Sequence, residues 1–146
     1  HETIKSRCIE FKLILNNEQK KMIVNNYFNN DIVDTLPPDL INFYYSPSFI
    51  ISLINFMNAV EFDYKDSTIE DLILFIIKNK YYSNNSFIFD NLNIFIELFF
   101  YKNIKLTKKV SHIVREYFYL KLYKIIKYNL DLETFFIEFE DKLLRE

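Results

Sequence analysis

The sequence predicts an α+β domain in which a small β-sheet precedes a series of helices. Segments rich in β-branched and aromatic residues lie before Pro47, whereas helical caps and helical spacing of apolar residues dominate after it. The 146 residues are 50% hydrophobic and 26% charged, which suffices for one sizeable core. We therefore expect one compact domain.

The predicted sheet has three strands. Cys8 to Leu15 carries enough β-branched and aromatic residues for a strand. After a turn at Asn16-Asn17, Lys20 to Val24 can pair back on it as a hairpin. Ile41 to Tyr45 alternates and predicts a third strand.

The predicted helices follow from caps and breaks. Pro37 stops a short helix after Leu36, because the residue before a proline avoids helical geometry. Ser46 can cap a helix that has Pro47 at its first position, and Asp66 or Ser67 can cap the next. Asp131 is the expected cap of the last helix. The expected helices are Tyr27 to Leu36, Pro47 to Phe62, Asp66 to Lys80, Asp90 to Tyr101, Thr107 to Tyr123 and Asp131 to Arg145.

The composition excludes several functions. The chain has no glycine, so it contains neither a phosphate-binding P-loop, nor a dinucleotide-binding turn, nor a G-x-S-x-G nucleophile elbow. The neighbours Ser111 and His112 point about 100° apart on a helix and do not form a nucleophile and base. His1, Cys8 and His112 lack zinc-like spacing. We expect no catalysis, no metal and no cofactor.

Charge and hydropathy bear on partners and compartment. The net charge of -2 favours no nucleic acid, and the lysines between Lys102 and Lys127 are expected on solvated helix faces. The longest apolar run, Leu72 to Ile77, is far shorter than the roughly 18 residues of a membrane span. The single Cys8 fits a reducing compartment, so we expect a cytoplasmic or nuclear protein without membrane contact.

The order of these elements carries a resemblance. The chain resembles the BTB/POZ fold of elongin C and the Skp-type adaptors in the order of its short segments. These segments are FKLI, MIV and INF, then SPS with an apolar helix, and then IFIELFF, YKNIK and VSHIV. The ending KYNLDLETFFIEFEDKLL resembles the Skp-type tail. The resemblance implies a POZ-like core over residues 1–106 and a C-terminal helical extension over 107–146.

The resemblance also implies a function and two binding faces. The chain would be a non-catalytic adaptor of a cullin-type ubiquitin ligase that bridges the cullin and an F-box-type substrate receptor through apolar helical surfaces. The implied cullin-binding residues are Phe100, Tyr101, Lys102 and Asn103. The implied receptor-binding residues are Val110, Ile113, Val114, Phe118, Ile125, Ile126 and Phe136.

Three alternatives remain open at the level of sequence. Phe135, Phe136 and Phe139 either cover the domain's own core or leave a groove for a partner helix. The chain could instead be a POZ module that forms homodimers. It could also be an all-helical viral inhibitor that resembles the Bcl-2 fold, in which case helix is expected where FKLI and KKMIV predict strands.

Overall fold

The computed structural model describes residues 15–41, 46–106 and 110–144, and those residues form helices and turns without a single strand. The predicted α+β class with an N-terminal sheet is therefore wrong for this part of the chain. The strand predicted over Cys8 to Leu15 lies almost wholly outside the described residues. Of the strand predicted over Ile41 to Tyr45, only Ile41 is described, and it ends a helix.

The first helix, α1, covers Asn17–Phe28 and includes the segment predicted as the second strand. Asn16 is its N-cap, not a hairpin turn, because its side chain accepts from the Gln19 N–H at 2.8 Å. The Gln19 side chain in turn accepts from the Asn16 N–H at 3.0 Å, which completes a capping box. The buried Val24 faces the core.

A connection follows where a helix over Tyr27 to Leu36 was predicted. Asn29 ends α1 in the left-handed conformation, with φ of 54°, and a 3-10 turn then covers Ile32–Thr35. The Asn25 side chain accepts from the Val33 N–H at 3.1 Å and ties this turn back to α1. A short helix, α2, covers Pro38–Ile41.

The next two helices agree with the predicted positions. Helix α3 covers Pro47–Ala59 with Ser46 as its cap, which confirms that prediction, and it packs on α1. Helix α4 covers Ile69–Lys78, and its cap is Thr68, not Asp66 or Ser67. Thr68 and Asp71 form a capping box there.

The central element of the core is α7, which covers Leu92–Tyr101. Two short helices lead into it, α5 over Tyr81–Asn84 and α6 over Ser86–Asp90. Six of its ten residues are buried, whereas the polar Asn93 and Glu97 are exposed, so a wide apolar side of α7 faces the core. It packs against α4, and a π-helical turn over Lys102–Leu106 continues it.

Two helices complete the described fold. Helix α8 covers His112–Tyr128, so it begins and ends about a turn later than the predicted Thr107 to Tyr123. Helix α9 covers Leu132–Phe139 and runs into a π-helical turn over Glu140–Leu144. Asp131 caps α9 through the Glu133 and Thr134 N–H groups, as predicted.

The core beneath α8 and α9 is aromatic. Phe118 of α8 lies edge-on to Phe135 and Phe139 of α9, with ring centroids 5.8 and 5.2 Å apart. Phe139 also contacts Phe99 of α7 at 5.0 Å, so one cluster joins the three helices. Phe135, Phe136 and Phe139 are at most 2% exposed, which assigns them to the domain's own core.

Candidate protein-interaction face

Helix α8 presents apolar side chains on two opposite sides. Ser111 caps the helix through the Val114 N–H, and Asn129 ends it in the left-handed conformation. One side carries Phe118 and Leu122, which are fully buried against α7 and α9. The opposite side also carries large apolar residues, although it faces solvent.

We define the outer face of α8 by the residues that lie within about 60° of Leu120 at about 100° per residue. Its apolar members are 46 to 80% exposed. They are Ile113, Tyr117, Leu120 and Tyr123. Its charged members are Glu116, Lys124 and Lys127.

Large apolar side chains at this spacing usually lie in a core or an interface. Ile113 and Leu120 are 80% and 61% exposed, so neither belongs to the core of the described chain. The outer face is therefore a site at which a second apolar surface could pack.

Two exposed charges border the apolar residues of the outer face. Glu116 lies one turn before Leu120 and Lys124 one turn after it. Neither side chain forms an ion pair with another described residue. The Lys127 ammonium lies 5.4 Å from the ring centroid of Tyr123 and so partly covers that ring.

A charged network holds Tyr117 in place. The Tyr117 hydroxyl donates to Glu138 of α9 at 2.8 Å, and the Lys142 ammonium lies 5.2 Å from the Tyr117 ring centroid. Glu138 also accepts from Lys121 and from Lys142. The hydrogen bonds from Lys121, then from Lys142, lower the pKa of Glu138 from 4.5 to about 2.

A groove of about 460 Å³ borders the outer face between α7 and α8. It is lined by Glu97 of α7 and by Arg115, Glu116, Tyr119 and Leu120 of α8. The Arg115 guanidinium lies 5.2 Å from the Tyr119 ring centroid, and the buried Tyr119 hydroxyl has no hydrogen-bond partner of regular geometry among the described residues. Burial, and then the charge of Glu97, raise the pKa of Tyr119 to about 12, so this hydroxyl stays protonated.

The residues predicted to bind a cullin do not form one exposed patch. Phe100 and Asn103 are 0% and 5% exposed, and Tyr101 and Lys102 are half-buried. Lys102 donates to Glu70 of α4 at 2.6 Å, and the Asn103 amide donates to the same carboxylate at 2.9 Å. These contacts join the end of α7 to the start of α4, and a cullin-binding role for this group stays a prediction.

The residues predicted to bind a receptor divide by exposure. Phe118, Ile125 and Phe136 are at most 5% exposed and belong to the core. Val110 and Val114 are half-buried. Ile113 and Ile126 are 80% and 40% exposed, so these two remain accessible to a partner.

Sequence reasoning missed Tyr117, Leu120 and Tyr123 as members of an exposed face. A signal was present, because α8 carries apolar residues on both sides where an ordinary surface helix carries them on one. The spacing alone does not tell which side packs on the core.

Neither a metal cluster, nor a Ser111-His112 dyad, nor a membrane-spanning helix is found among the described residues. Among them, no three His, Cys, Asp or Glu side chains lie together as a metal site. Ser111 caps α8 and His112 is exposed, so the pair forms no dyad. Within the described ranges, no helix has the length and apolar character that crossing a bilayer requires.

Comparisons of the chain with protein-family models, with curated proteins and with solved structures found no match.

Proposed function

We propose that this chain is a non-catalytic helical module that receives an amphipathic helix of a partner protein on the outer face of α8. The observation that carries the proposal is the exposure of Ile113, Tyr117, Leu120 and Tyr123 at helical spacing on a helix whose other side is already packed. A helix that docks in such a place buries apolar surface on both partners, which is a common mode of recognition.

The all-helical alternative has more support than the adaptor. A chain that resembles the Bcl-2 fold requires helix over Lys20 to Val24, and α1 occupies that segment. The segment FKLI, where the same alternative requires helix, lies outside the described residues. We therefore favour an interaction module of the Bcl-2-like viral inhibitor type.

The adaptor of a cullin-type ligase remains a weaker proposal. Its predicted sheet is absent from the described residues, and its remaining support is the exposure of Ile113 and Ile126, two of the residues assigned to the receptor side. Both proposals imply a cytoplasmic or nuclear protein, because their partner proteins occur in those compartments.

A peptide titration tests the proposed function. Fluorescent peptides that represent BH3-type helices and F-box helices are titrated with the chain, with Leu120→Lys and with Phe89→Lys. Phe89 is 41% exposed on α6, so the last variant places the same charge on an exposed apolar site elsewhere. We expect BH3-type peptides to bind the chain and Phe89→Lys, and to lose binding to Leu120→Lys.

Each other outcome decides against part of the proposal. Binding of the F-box peptide alone, sensitive to Ile113→Asp, would favour the adaptor. If the folded chain bound no peptide, or if Leu120→Lys bound as well as the chain does, the proposed docking of a heterologous helix on α8 would be wrong.

A further inference from the structure

Four side chains of the outer face are arranged about Leu120 in two matched pairs. Three residues before Leu120 lies Tyr117, and three residues after it lies Tyr123. Four residues before it lies Glu116, and four residues after it lies Lys124. Aromatic residues therefore match aromatic residues across Leu120, and the acidic residue matches a basic one.

This arrangement is self-complementary when two copies of α8 pack antiparallel. A two-fold axis at Leu120 relates the two helices. A residue that lies three or four positions before Leu120 in one copy is then level with the residue three or four positions after Leu120 in the other copy. Leu120 then meets its own copy, Tyr117 lies level with the second copy's Tyr123, and Glu116 lies level with the second copy's Lys124. Leu120 and the tyrosines meet one another, Ile113 lies level with the second copy's Lys127, and Glu116 and Lys124 bring opposite charges together on both sides of Leu120.

Parallel packing of the same two faces lacks this match. Each residue would then lie level with its own copy, which would place the two Glu116 carboxylates together and the two Lys124 ammonium groups together. Like charges across an interface oppose binding. The charges of the outer face therefore favour the antiparallel arrangement.

The geometry points to a second copy of this chain as the occupant of the outer face, packed antiparallel through α8 about a two-fold axis at Leu120. This inference rests on the proposed function, because it uses the same face of α8 and names a second copy as its occupant when no partner helix is bound. Tyr117 supports it, since Glu138 and Lys142 already hold that ring in place and little side-chain freedom is lost when it is buried.

A charge exchange tests the arrangement. Sedimentation equilibrium measures the dimer dissociation constant of the chain, of Glu116→Lys, of Lys124→Glu and of the double variant. Each single change sets like charges against each other at both ends of the contact, so we expect dimerisation to weaken by roughly tenfold or more. The double variant restores both opposite-charge pairs and should restore the dimer.

Disulfide capture tests the position of the axis. In a Cys8→Ser background, Leu120→Cys should form an intermolecular disulfide on mild oxidation, because the axis brings the two copies of this residue together. Ile113→Cys is the matched control. Ile113 is more exposed than Leu120, yet its two copies would lie about 21 Å apart along the helices, beyond the reach of a disulfide.

The outcomes separate the inference from the proposed function. A chain that stays monomeric across the micromolar range, or a dimer that persists in Leu120→Lys, would overturn the inference. A double charge variant that does not recover would overturn the antiparallel arrangement, as would equal capture of both cysteine variants. A monomer that binds helical peptides through Leu120 would leave the proposed function standing without this partner.

Discussion

Replacement of Phe118 by alanine tests which side of α8 the core requires. Phe118 is 0% exposed, and its ring contacts Phe100, Phe135 and Phe139 with centroids 6.2, 5.8 and 5.2 Å away. Removal of such a ring leaves a cavity that the neighbouring rings cannot fill. The expected loss in the free energy of unfolding is about 3 to 5 kcal/mol.

Leu120→Ala is the matched change on the other side of the same helix. Leu120 is 61% exposed, so about two-fifths of its side chain is covered by the rest of the fold. Leucine and alanine both favour helix, and the buried part of the side chain is worth about 1 kcal/mol at most. We therefore expect Leu120→Ala to cost about a quarter of what Phe118→Ala costs.

Urea unfolding followed by circular dichroism measures both changes, at a protein concentration low enough that association does not contribute. The unfolding midpoint should fall strongly for Phe118→Ala and little for Leu120→Ala. Equal losses at low concentration would mean that residues of the same chain cover Leu120, and the outer face would then not be free to bind. A loss for Leu120→Ala that grows with protein concentration is what association through this face requires.

Two further predictions concern the support of α8 and the start of α1. Folding lowers the pKa of Glu138 from 4.5 to about 2, so its contribution to stability is complete above pH 4.5 and is lost as the pH falls toward about 2. The Glu138 side chain is 21% exposed, and we expect Glu138→Gln to lower the free energy of unfolding at pH 7 by about 1 to 2 kcal/mol. The variant should also lose less stability than the unchanged chain when the pH falls from 7 to 3. Urea titrations at the two pH values measure this, and an equal loss in both proteins would contradict this account. Asn16→Ala removes the α1 cap and should lower the free energy of unfolding by about 1 kcal/mol. Asn16→Asp keeps a capping oxygen and should retain most of that stability. Equal stability of all three proteins would show that the capping box contributes nothing.

Helix starts could be predicted where one side chain determines them. Ser46 and Asp131 each accept from backbone N–H groups within the next three residues, an interaction that depends on local sequence alone. Both caps were predicted and both are confirmed. The cap of α4 was misplaced because Asp66, Ser67 and Thr68 are all acceptable caps, and the reciprocal bond with Asp71 selects Thr68.

The sheet was predicted wrongly because the local pattern of α1 is ambiguous. Met22, Ile23 and Val24 form a short apolar run, and such a run does not distinguish a strand from a helix. Asn16 suits a turn and a helix cap equally well. The deciding feature is Gln19 at the third helical position, whose bond back to Asn16 favours helix.

Helices α7 and α8 differ in what covers their apolar residues, and this difference supports the proposed interaction face. The large apolar residues of α7 are buried or half-buried within its own chain and its exposed residues Asn93 and Glu97 are polar, so its composition is explained by folding alone. Helix α8 packs its Phe118 side on the same core, yet keeps Ile113 and Leu120 in solvent. Since the core does not need those two residues, polar side chains there would cost the fold little. A local pattern that the fold does not require is the kind of departure expected at a functional surface, and it supports the proposal that a partner packs on the outer face of α8.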